Sequence, residues 1–533
     1  MDQRSLGIML DCSRNSVMTP DKVKEFATLI AGMGYNMLQL YTEDTYEIDG
    51  EPFFGYMRGR YSKEELKDID AHCASHGIEL IPCIQTLAHL ERISRWPAYA
   101  DLFDIEDVLL VDDDRVYQLI DKMFATLKEC FTSRRVHIGM DEAHNLGLGN
   151  YLKKHGLQNR TLLMAMHLTR VKEIAQKHGF QPMLWSDMFL RLHNNGTYYG
   201  DDIRIPQETI DAVPADVELV YWDYYSKEKI HFDNMLRIHE KFVNNSIVFA
   251  GGIWTWSGYV PNLRYSLDVI EASMRSVREH SVSTILFTMW GDNGADCARF
   301  SALPGIFAAA EMARGNFDRA DIARKFEAYT GYRFDEFMDL ELPNLIGDNE
   351  SINNNPNKYL LFNDPFIGLF DFTVSDNLSA LYADYAKQLA PSVNGRKYDY
   401  LFRFTTKLLE VLSVKCDLGI RLRKAYGAND KQALRHFADV EIPMLIGLVD
   451  ELYVSYRTQW LTENKPFGLE VQENRFGGLL LRLRSCKDRL VNYLDGRINI
   501  IEELEEKQEG FLDSNCKRIR FNAFGRTYTA CGH

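Results

Sequence analysis

Residues 161–185 read TLLMAMHLTRVKEIAQKHGFQPMLW, an amphipathic segment followed by a short apolar run. Apolar residues recur at every third or fourth position as far as Lys177, and the Lys-His-Gly at 177–179 is typical of a helix end. Residues 182–185 then predict a buried strand. This alternation of helix and strand is repeated along the first 300 residues or so.

Seven further apolar runs flank this unit, and helical segments separate them. The eight runs are residues 6–10, 37–41, 79–84, 136–140, 182–185, 218–222, 247–250 and 284–289. Buried strands that alternate with helices predict a parallel sheet covered on both faces, and eight of them suit a (β/α)8 TIM barrel. The alternative is an open doubly wound sheet, but no glycine-rich dinucleotide loop follows the first run.

The composition changes after residue 335. We predict the barrel at 1–335, a linking loop rich in Asn, Asp and Pro at 336–375, and an α-helical domain at 376–533. Within this domain the periodicity indicates helices near 376–390, 396–426, 429–462 and 470–506. The polar and aromatic segment 465–477 either leans over the barrel mouth or is a turn that packs within its own domain.

Charge and cysteine content restrict the partners and the compartment. The 533 residues carry 61 Lys and Arg against 76 Asp and Glu, a net charge of −15, which disfavours nucleic acid and anionic membranes as partners. No run approaches the ~18 apolar residues of a membrane span, and the N-terminus lacks a signal-peptide pattern. Nine cysteines without a CxxC pair predict free thiols and a cytoplasmic protein.

Five of the seven tryptophans lie where the predicted strands five to eight end. They are Trp185, Trp222, Trp254, Trp256 and Trp290. In a TIM barrel these positions surround the active site, which lies at the C-terminal ends of the strands. Indole faces suit the C–H faces of pyranose rings, so the pattern favours a sugar pocket; the alternative is that the aromatic rings only fill the barrel mouth.

The dipeptide Asp141-Glu142 follows strand four. Neighbouring strand residues point to opposite faces, so both acids can serve the pocket only if the strand ends there. A glutamate among tryptophans has its neutral form favoured by desolvation, as a general acid at neutral pH requires. The alternative is that one of the two acids caps the next helix.

Residues 136–142, VHIGMDE, resemble the H-x-G-G-D-E signature of glycoside hydrolase family 20, the β-N-acetylhexosaminidases. Segments 81–89 (IPCIQTLAH), 221–223 (YWD) and 290–292 (WGD) are similar to further family segments in the same order. The chain is most similar to a bacterial cytoplasmic subgroup in which a bare barrel precedes a helical domain. Met140 replaces the second signature glycine, and Asp292 is one methylene shorter than the family's usual glutamate.

The resemblance implies an exo-acting enzyme that removes terminal β-linked GlcNAc or GalNAc by retaining, substrate-assisted hydrolysis. Glu142 would be the general acid and base, Asp141 would orient the substrate's 2-acetamido group, and Tyr221 would donate to its oxygen. His89 would contact an acid, with Asp44 as the candidate. The substrate-binding residues implied are Arg14, His89, Trp185, Asp223, Trp254, Trp290 and Asp292.

Other functions remain as alternatives. A metal-dependent hydrolase would place histidines after strands one, five and six, where this chain has Cys-Ser-Arg, Trp-Ser-Asp and Trp-Asp-Tyr. We therefore predict no metal and no cofactor. A non-catalytic amino-sugar-binding protein and a two-carboxylate retaining glycosidase stay open. The predicted partner is a small glycan ending in a β-linked N-acetylhexosamine, and apolar helix faces favour a homodimer.

Overall fold

Eight parallel strands form a closed barrel in the computed structural model, which describes residues 5–200, 202–282, 284–346, 354–509 and 523–531. Each strand pairs with its neighbours in the barrel order, and the last strand pairs with the first. The strands are β1 (Ser5–Asp11), β2 (Met37–Tyr41), β3 (Glu79–Cys83), β4 (Arg135–His137), β5 (Gln181–Trp185), β6 (Glu218–Trp222), β7 (Ile247–Gly252) and β8 (Thr284–Met289). The predicted (β/α)8 barrel is confirmed.

Strand β4 is shorter than the run at 136–140 that predicts it. Gly139 and Met140 adopt φ values of 72° and 71°, in the left-handed region. Extended pairing does not continue through residues in that conformation. The turn after β4 therefore begins early, and it brings Asp141 and Glu142 to the barrel mouth.

Helices surround the barrel and follow the predicted amphipathic segments. The helix at Arg160–Lys177 is followed by Gly179 at φ 84°, as the Lys-His-Gly sequence predicts. The barrel helices are Pro20–Gly32, Lys63–Ser75, Glu91–Ser94, Asp114–Cys130, Asn150–His155, Arg160–Lys177, Asp187–Arg191, Gln207–Ala212, Lys229–His239, Leu263–Val277, Leu303–Ala313, Arg319–Thr330 and Phe334–Met338, with 3-10 turns at Ala100–Leu102 and Arg299–Ala302.

The connection between β3 and β4 contains an antiparallel hairpin that the sequence did not predict. Its strands are Phe103–Ile105 and Val108–Leu109. Asp107 accepts the backbone N–H of His89 at 2.9 Å, and Asp104 accepts two backbone N–H groups of the chain after β4. The hairpin thus holds the loops after β3 and β4 together at the mouth.

The predicted linking loop at 336–375 is wrong where the structure describes it. Short helices occupy Asp339–Asn344, Pro356–Phe362 and Asp371–Thr373, and the side chains of residues 354–358 are buried. Asparagine amides explain why a polar stretch can be buried, because they bond to the backbone after β7: Asn355 donates to Ser257 and Asn357 accepts from Tyr259. Residues 347–353 of this prediction lie outside the described residues.

The C-terminal part is helical as predicted. Its helices are Leu378–Leu389, Asp399–Lys415, Leu418–Gly427, Lys431–His436, Ile442–Glu463, Leu469–Leu494 and Glu502–Glu505, with a π segment at Phe437–Glu441 and 3-10 turns at Ala390–Ser392 and Phe524–Arg526. The predicted helix at 396–426 is divided near Cys416. No helix in the described ranges combines the length and apolarity that a membrane span needs.

The segment 465–477 contacts the barrel mouth, as the first of its two interpretations proposes. Lys465 donates its backbone N–H to Val17 after β1, and its side chain bonds to Glu65 at 2.7 Å. Residues 473–477 are not loop but part of the helix Leu469–Leu494. The helical domain therefore contacts the barrel loops directly.

Candidate active site

A cavity of about 160 Å³ lies at the C-terminal ends of the barrel strands. Charged groups and aromatic rings share its wall, as the sequence pattern predicts for a sugar pocket. The lining residues are Arg14, His89, Asp141, Glu142, Trp185, Trp222, Tyr224, Tyr225, Trp256, Trp290 and Asp292.

The turn after β4 presents the two acids through an unusual backbone. Gly139, Met140 and Glu142 all have positive φ values. At Gly139 a Cβ would lie 2.0 Å from Oε1 of Gln85, so a side chain there is excluded as well as strained. Met140 tolerates this conformation because its backbone N–H donates to the same Oε1 at 3.1 Å.

Gln85 holds this turn from the neighbouring strand, a role that the sequence analysis missed. Its Oε1 accepts from Met140, and its Nε2 donates to Asp141 at 2.7 Å and to the Tyr41 hydroxyl at 2.9 Å. The residue is fully buried. The signal in the sequence was its place two residues beyond β3, beside the turn after β4.

Asp141 is the more buried of the two acids. Burial would raise the pKa of its carboxyl, but His89 and the Gln85 amide outweigh burial and hold that pKa at about 2. His89 Nε2 lies 3.1 Å from Asp141 and 3.7 Å from Glu142. Burial acts to lower the pKa of His89, and the Asp141 carboxylate raises it to about 9.

Glu142 is more accessible, with 41% of its side chain exposed. The chain alone therefore does not supply the burial among tryptophans that the sequence argument assumed. Its backbone N–H donates to Asp187 at 3.2 Å, and Arg191 reaches both acids, at 3.0 Å from Asp187 and 3.9 Å from Glu142. Burial, followed by the charge of Asp141, raises the pKa of Asp187 to about 7.

Arg14 lies on the opposite wall, after β1. Its Nε donates to Glu43 at 3.0 Å, and its Nη1 lies 3.9 Å from Asp292. Glu43 also accepts from the Tyr41 hydroxyl at 3.0 Å. An arginine fixed by one carboxylate and close to a second presents donors and acceptors together, which is what recognition of adjacent sugar hydroxyls requires.

Four indole rings complete the wall. Trp185 and Trp290 lie with ring centroids 5.9 Å apart, and Trp222 and Trp256 line the other side. Trp254, which we predicted in the wall, is not among the residues that line the cavity. Its ring stacks on Trp256 with centroids 4.0 Å apart, and its Nε1 donates to the backbone oxygen of Tyr224. The sequence put tryptophans at this strand end but did not distinguish the front ring from the back one.

Two family models match this chain, one in the barrel and one in the helical domain. A model described as "Glycosyl hydrolase family 20, catalytic domain" matches residues 6–237, and one described as "Glycoside Hydrolase 20C C-terminal domain" matches residues 335–521. The chain belongs to glycoside hydrolase family 20. The second match shows that the family 20 similarity extends through the helical part of the chain.

Individual relatives are more distant. The chain is 26% identical to Hexosaminidase D of Homo sapiens over 40% of this chain and 44% of that protein. It is 25% identical to Hexosaminidase D of Bos taurus over 48% and 74%, respectively. The alignment thus spans less than half of the human relative. A solved β-N-acetylhexosaminidase from Bacteroides fragilis matches with a TM-score of 0.47 and 19% identity, over 61% of this chain and 71% of that one.

Two residues carried over from the family 20 pattern are not at the pocket wall. Tyr221 and Asp223 are fully buried, and the Tyr221 hydroxyl donates to Asp223 at 2.8 Å. Asp223 also lies 2.6 Å from His231. Tyr221 belongs to β6 and stacks on His239 inside the barrel wall, whereas the phenols that reach the pocket come from the loop beyond, at Tyr224 and Tyr225.

The partner predicted for His89 is also corrected. Asp44 accepts from Arg58 at 3.0 Å, and it is Asp141 and Glu142 that lie beside the histidine. Within the described ranges, His89, Asp141 and Glu142 have ligand atoms within 4.8 Å of one another, a spacing that suits a metal ion.

Proposed function

We propose that the protein is an exo-acting β-N-acetylhexosaminidase that removes terminal β-linked GlcNAc, GalNAc or both, by retaining, substrate-assisted hydrolysis. The observation that carries the proposal is the unequal environment of the two acids. Asp141 is buried and held ionised by His89 and Gln85, while the adjacent Glu142 is open to the cavity. Two carboxyl groups with such different surroundings suit two different roles in one reaction.

In the first step, the oxygen of the substrate's 2-acetamido group attacks C1, and the bond from C1 to the leaving oxygen breaks. Glu142 gives its proton to that oxygen, and Asp141 accepts the acetamido N–H and stabilises the positive charge that develops on the group. The product is an oxazolinium ring. In the second step Glu142 takes a proton from water, which attacks C1, and the acetamide is restored.

The wall residues suit a single terminal sugar. Arg14 and Asp292 line the cavity of about 160 Å³ and would bind hydroxyls far from the leaving group, with Glu43 holding Arg14 from behind. We propose that Tyr225 takes the role first given to Tyr221, because it lines the cavity and is 41% exposed. Trp185 and Trp290 would flank the sugar and its acetamide.

Hydrolysis of p-nitrophenyl β-GlcNAc, β-GalNAc and β-glucoside, each with and without EDTA, tests the proposal. We expect turnover of the N-acetyl sugars alone, since the acetamide is the nucleophile. We expect no effect of EDTA, since no step of this reaction uses a metal. Comparable turnover of the glucoside would instead support a two-carboxylate glycosidase. Loss of activity in EDTA would point to a metal at His89, Asp141 and Glu142. Binding of GlcNAc without any turnover would support an amino-sugar-binding protein.

Location and assembly are further parts of the proposal. The eight cysteines of the described residues are unpaired, and seven of them are buried, which supports a reducing compartment such as the cytoplasm. Val440, Met444, Val454 and Leu461 are exposed along one helical stretch and support a homodimer. Light scattering of the wild type and a Val454→Glu variant tests assembly; a monomeric wild type would contradict it.

A further inference from the structure

The turn at residues 291–296 follows β8 and carries Asp292 into the pocket. On its barrel side the turn is fixed at its start: the backbone oxygen of Trp290 accepts from Arg299 at 2.9 Å, and the next N–H donates to Asp11 at 2.8 Å. Asp292 comes immediately after these contacts, at φ 22°. Its position therefore depends on what holds the residues that follow it.

Arg475 of the helix Leu469–Leu494 holds those residues from the helical domain. Its Nη1 donates to the backbone oxygen of Asn293 at 3.1 Å and to Asp296 at 2.9 Å, and its Nη2 donates to the Asn293 side chain at 3.0 Å. The fit is close, because a Cβ on Gly294 would lie 2.6 Å from Nη1. One arginine thus bonds to both Asn293 and Asp296, which a planar guanidinium with several donors can do.

Lys358 and Gln472 complete the arrangement. Lys358 donates to Asp296 at 2.6 Å, and Gln472 donates to Asp296 at 2.6 Å and to the oxygen of Gly294 at 3.1 Å. We call Lys358, Gln472 and Arg475, together with Asp296, the Asp296 clamp. All three donors lie in the part of the chain that matches the family's C-terminal domain, residues 335–521.

The conformation of the turn explains why such a clamp is needed. Asp292 and Ala295 both have positive φ values, 22° and 54°, which residues with a Cβ adopt at a cost. Strained residues of this kind persist when the surrounding contacts over-determine them. Burial acts to raise the pKa of Asp296, but the cations Lys358 and Arg475 outweigh burial and lower it, which favours the Asp296 carboxylate. Burial also lowers the pKa of Lys358, and the charge of Asp296 opposes that shift.

We propose that the Asp296 clamp positions Asp292, so that the helical domain sets how the pocket discriminates among sugar hydroxyls. Lys358, Gln472 and Arg475 are positioning residues, because none of them lines the cavity and each acts through the turn. This inference rests on the proposed function, in which Asp292 and Arg14 bind hydroxyls of the terminal sugar. It assigns the helical domain a role in substrate recognition.

Arg475→Gln is the test variant, because Asp296 keeps Lys358 and Gln472 as partners and is not left unpaired. Arg482→Gln is the matched control: this arginine lies on the same helix and bonds to Asp364 at 2.5 Å, away from the turn. We expect Arg475→Gln to raise KM for p-nitrophenyl β-GlcNAc about tenfold, as expected for a lost hydrogen bond to a charged group, with little change in kcat. The GlcNAc to GalNAc preference should also change, since these sugars differ at O4.

A double-mutant cycle with Asp292→Asn tests whether the effect passes through Asp292. In the Asp292→Asn background, Arg475→Gln should add nothing to KM. Arg475→Lys, which keeps the charge but loses the fork, should recover part of the KM. An additive effect in the double variant, or an equal KM change in Arg482→Gln, would overturn the proposal.

Hydrogen–deuterium exchange of the free enzyme separates this inference from the proposed function. Backbone amides of residues 291–296 should exchange faster in Arg475→Gln than in the wild type and Arg482→Gln. If the wild type hydrolyses none of the glycosides, the proposed function fails, and the exchange result alone decides whether the clamp positions the turn. Equal exchange in all three proteins contradicts the clamp.

Discussion

His89 Nε2 lies 3.1 Å from Oδ2 of Asp141, and the two side chains form a partly buried ion pair at the base of the cavity. Burial alone would disfavour both charges, yet each raises the charged fraction of the other. The pKa of Asp141 falls to about 2 and that of His89 rises to about 9. The acid that would hold the acetamide is therefore ionised across the whole physiological range.

His89→Gln should change both stability and the pH profile. The Asp141 contribution is complete above its unfolded pKa near 4, and the His89 contribution is complete below about 6.5 and is lost as pH rises through about 9. The wild type should thus exceed the variant most between about pH 4 and 6.5, by on the order of 2 kcal/mol of unfolding free energy. Urea unfolding from pH 4 to 10 measures this.

The same variant should shift the acid limb of the kcat/KM profile to higher pH, because the pKa of Asp141 rises when its cation is removed. His178→Gln is the control, since His178 lies 2.8 Å from Asp121 in a comparable pair outside the cavity. It should cost stability without moving the acid limb. An acid limb that is identical in wild type and His89→Gln would show that Asp141 is not the group that His89 serves.

Glu142→Gln should abolish proton donation and leave binding intact. We expect kcat on p-nitrophenyl β-GlcNAc to fall by about 10²–10⁴, the usual contribution of a general acid. The loss should be smaller with a 2,4-dinitrophenyl leaving group, which needs no proton, and added azide should speed the second step, because an anion needs no base. Unchanged kcat, or an equal loss for both leaving groups, would remove Glu142 from this role.

The barrel was predictable because parallel strands buried on both faces have continuous apolar sequences, and helical segments separate them along the chain. The same reasoning places Arg14, Asp141 and Asp292 at one mouth, because each lies three or four residues beyond the end of a strand. It failed for Tyr221 and Trp254, since a strand end does not determine which of several aromatic residues in the loop turns toward the cavity. Tyr225 and Trp256 lie only four and two residues further along.

Other features depend on contacts between segments distant in sequence. Gln85 contacts the turn only because β3 and β4 are neighbours. Asp187 contacts Glu142 only because the end of β5, which Asp187 follows, lies beside that turn. The hairpin at 103–109 has strands of three and two residues, too short for an alternation pattern. Composition also does not predict the burial of residues 354–358. Asparagines are typical of loops, and they are buried here only because their amides bond to a segment distant in sequence.

Asp187→Asn should stabilise the protein increasingly as pH rises. Burial and Asp141 raise the pKa of Asp187 to about 7, so between about pH 4 and 7 the unfolded chain ionises this group while the folded chain does not. Folding therefore loses stability over that range in the wild type, on the order of 2–4 kcal/mol, and asparagine removes the loss. Its amide oxygen still accepts from Glu142 and Arg191.

Urea unfolding at pH 4, 5.5, 7 and 8 tests the slope. Glu311→Gln provides the opposite case, because Arg314, Lys325 and Asn316 outweigh burial and lower the pKa of Glu311 to about 2. The difference between wild type and Glu311→Gln should not change between pH 5.5 and 8. A difference between wild type and Asp187→Asn that is equally flat would contradict the shift at Asp187.

Met140 offers a test of backbone strain in the signature turn. It is fully buried and has a φ of 71°, where a residue with a Cβ costs about 1–2 kcal/mol. Removing its side chain costs about 2–5 kcal/mol, so both small variants should be less stable than the wild type. Met140→Gly escapes the strain and Met140→Ala does not, so the glycine variant should be the more stable by about 1 kcal/mol.

Met123, buried in the helix Asp114–Cys130, is the control. There the alanine variant should be more stable than the glycine variant by about 1 kcal/mol. Chemical denaturation of the four variants measures both orders, and the same order at both positions would exclude strain at Met140.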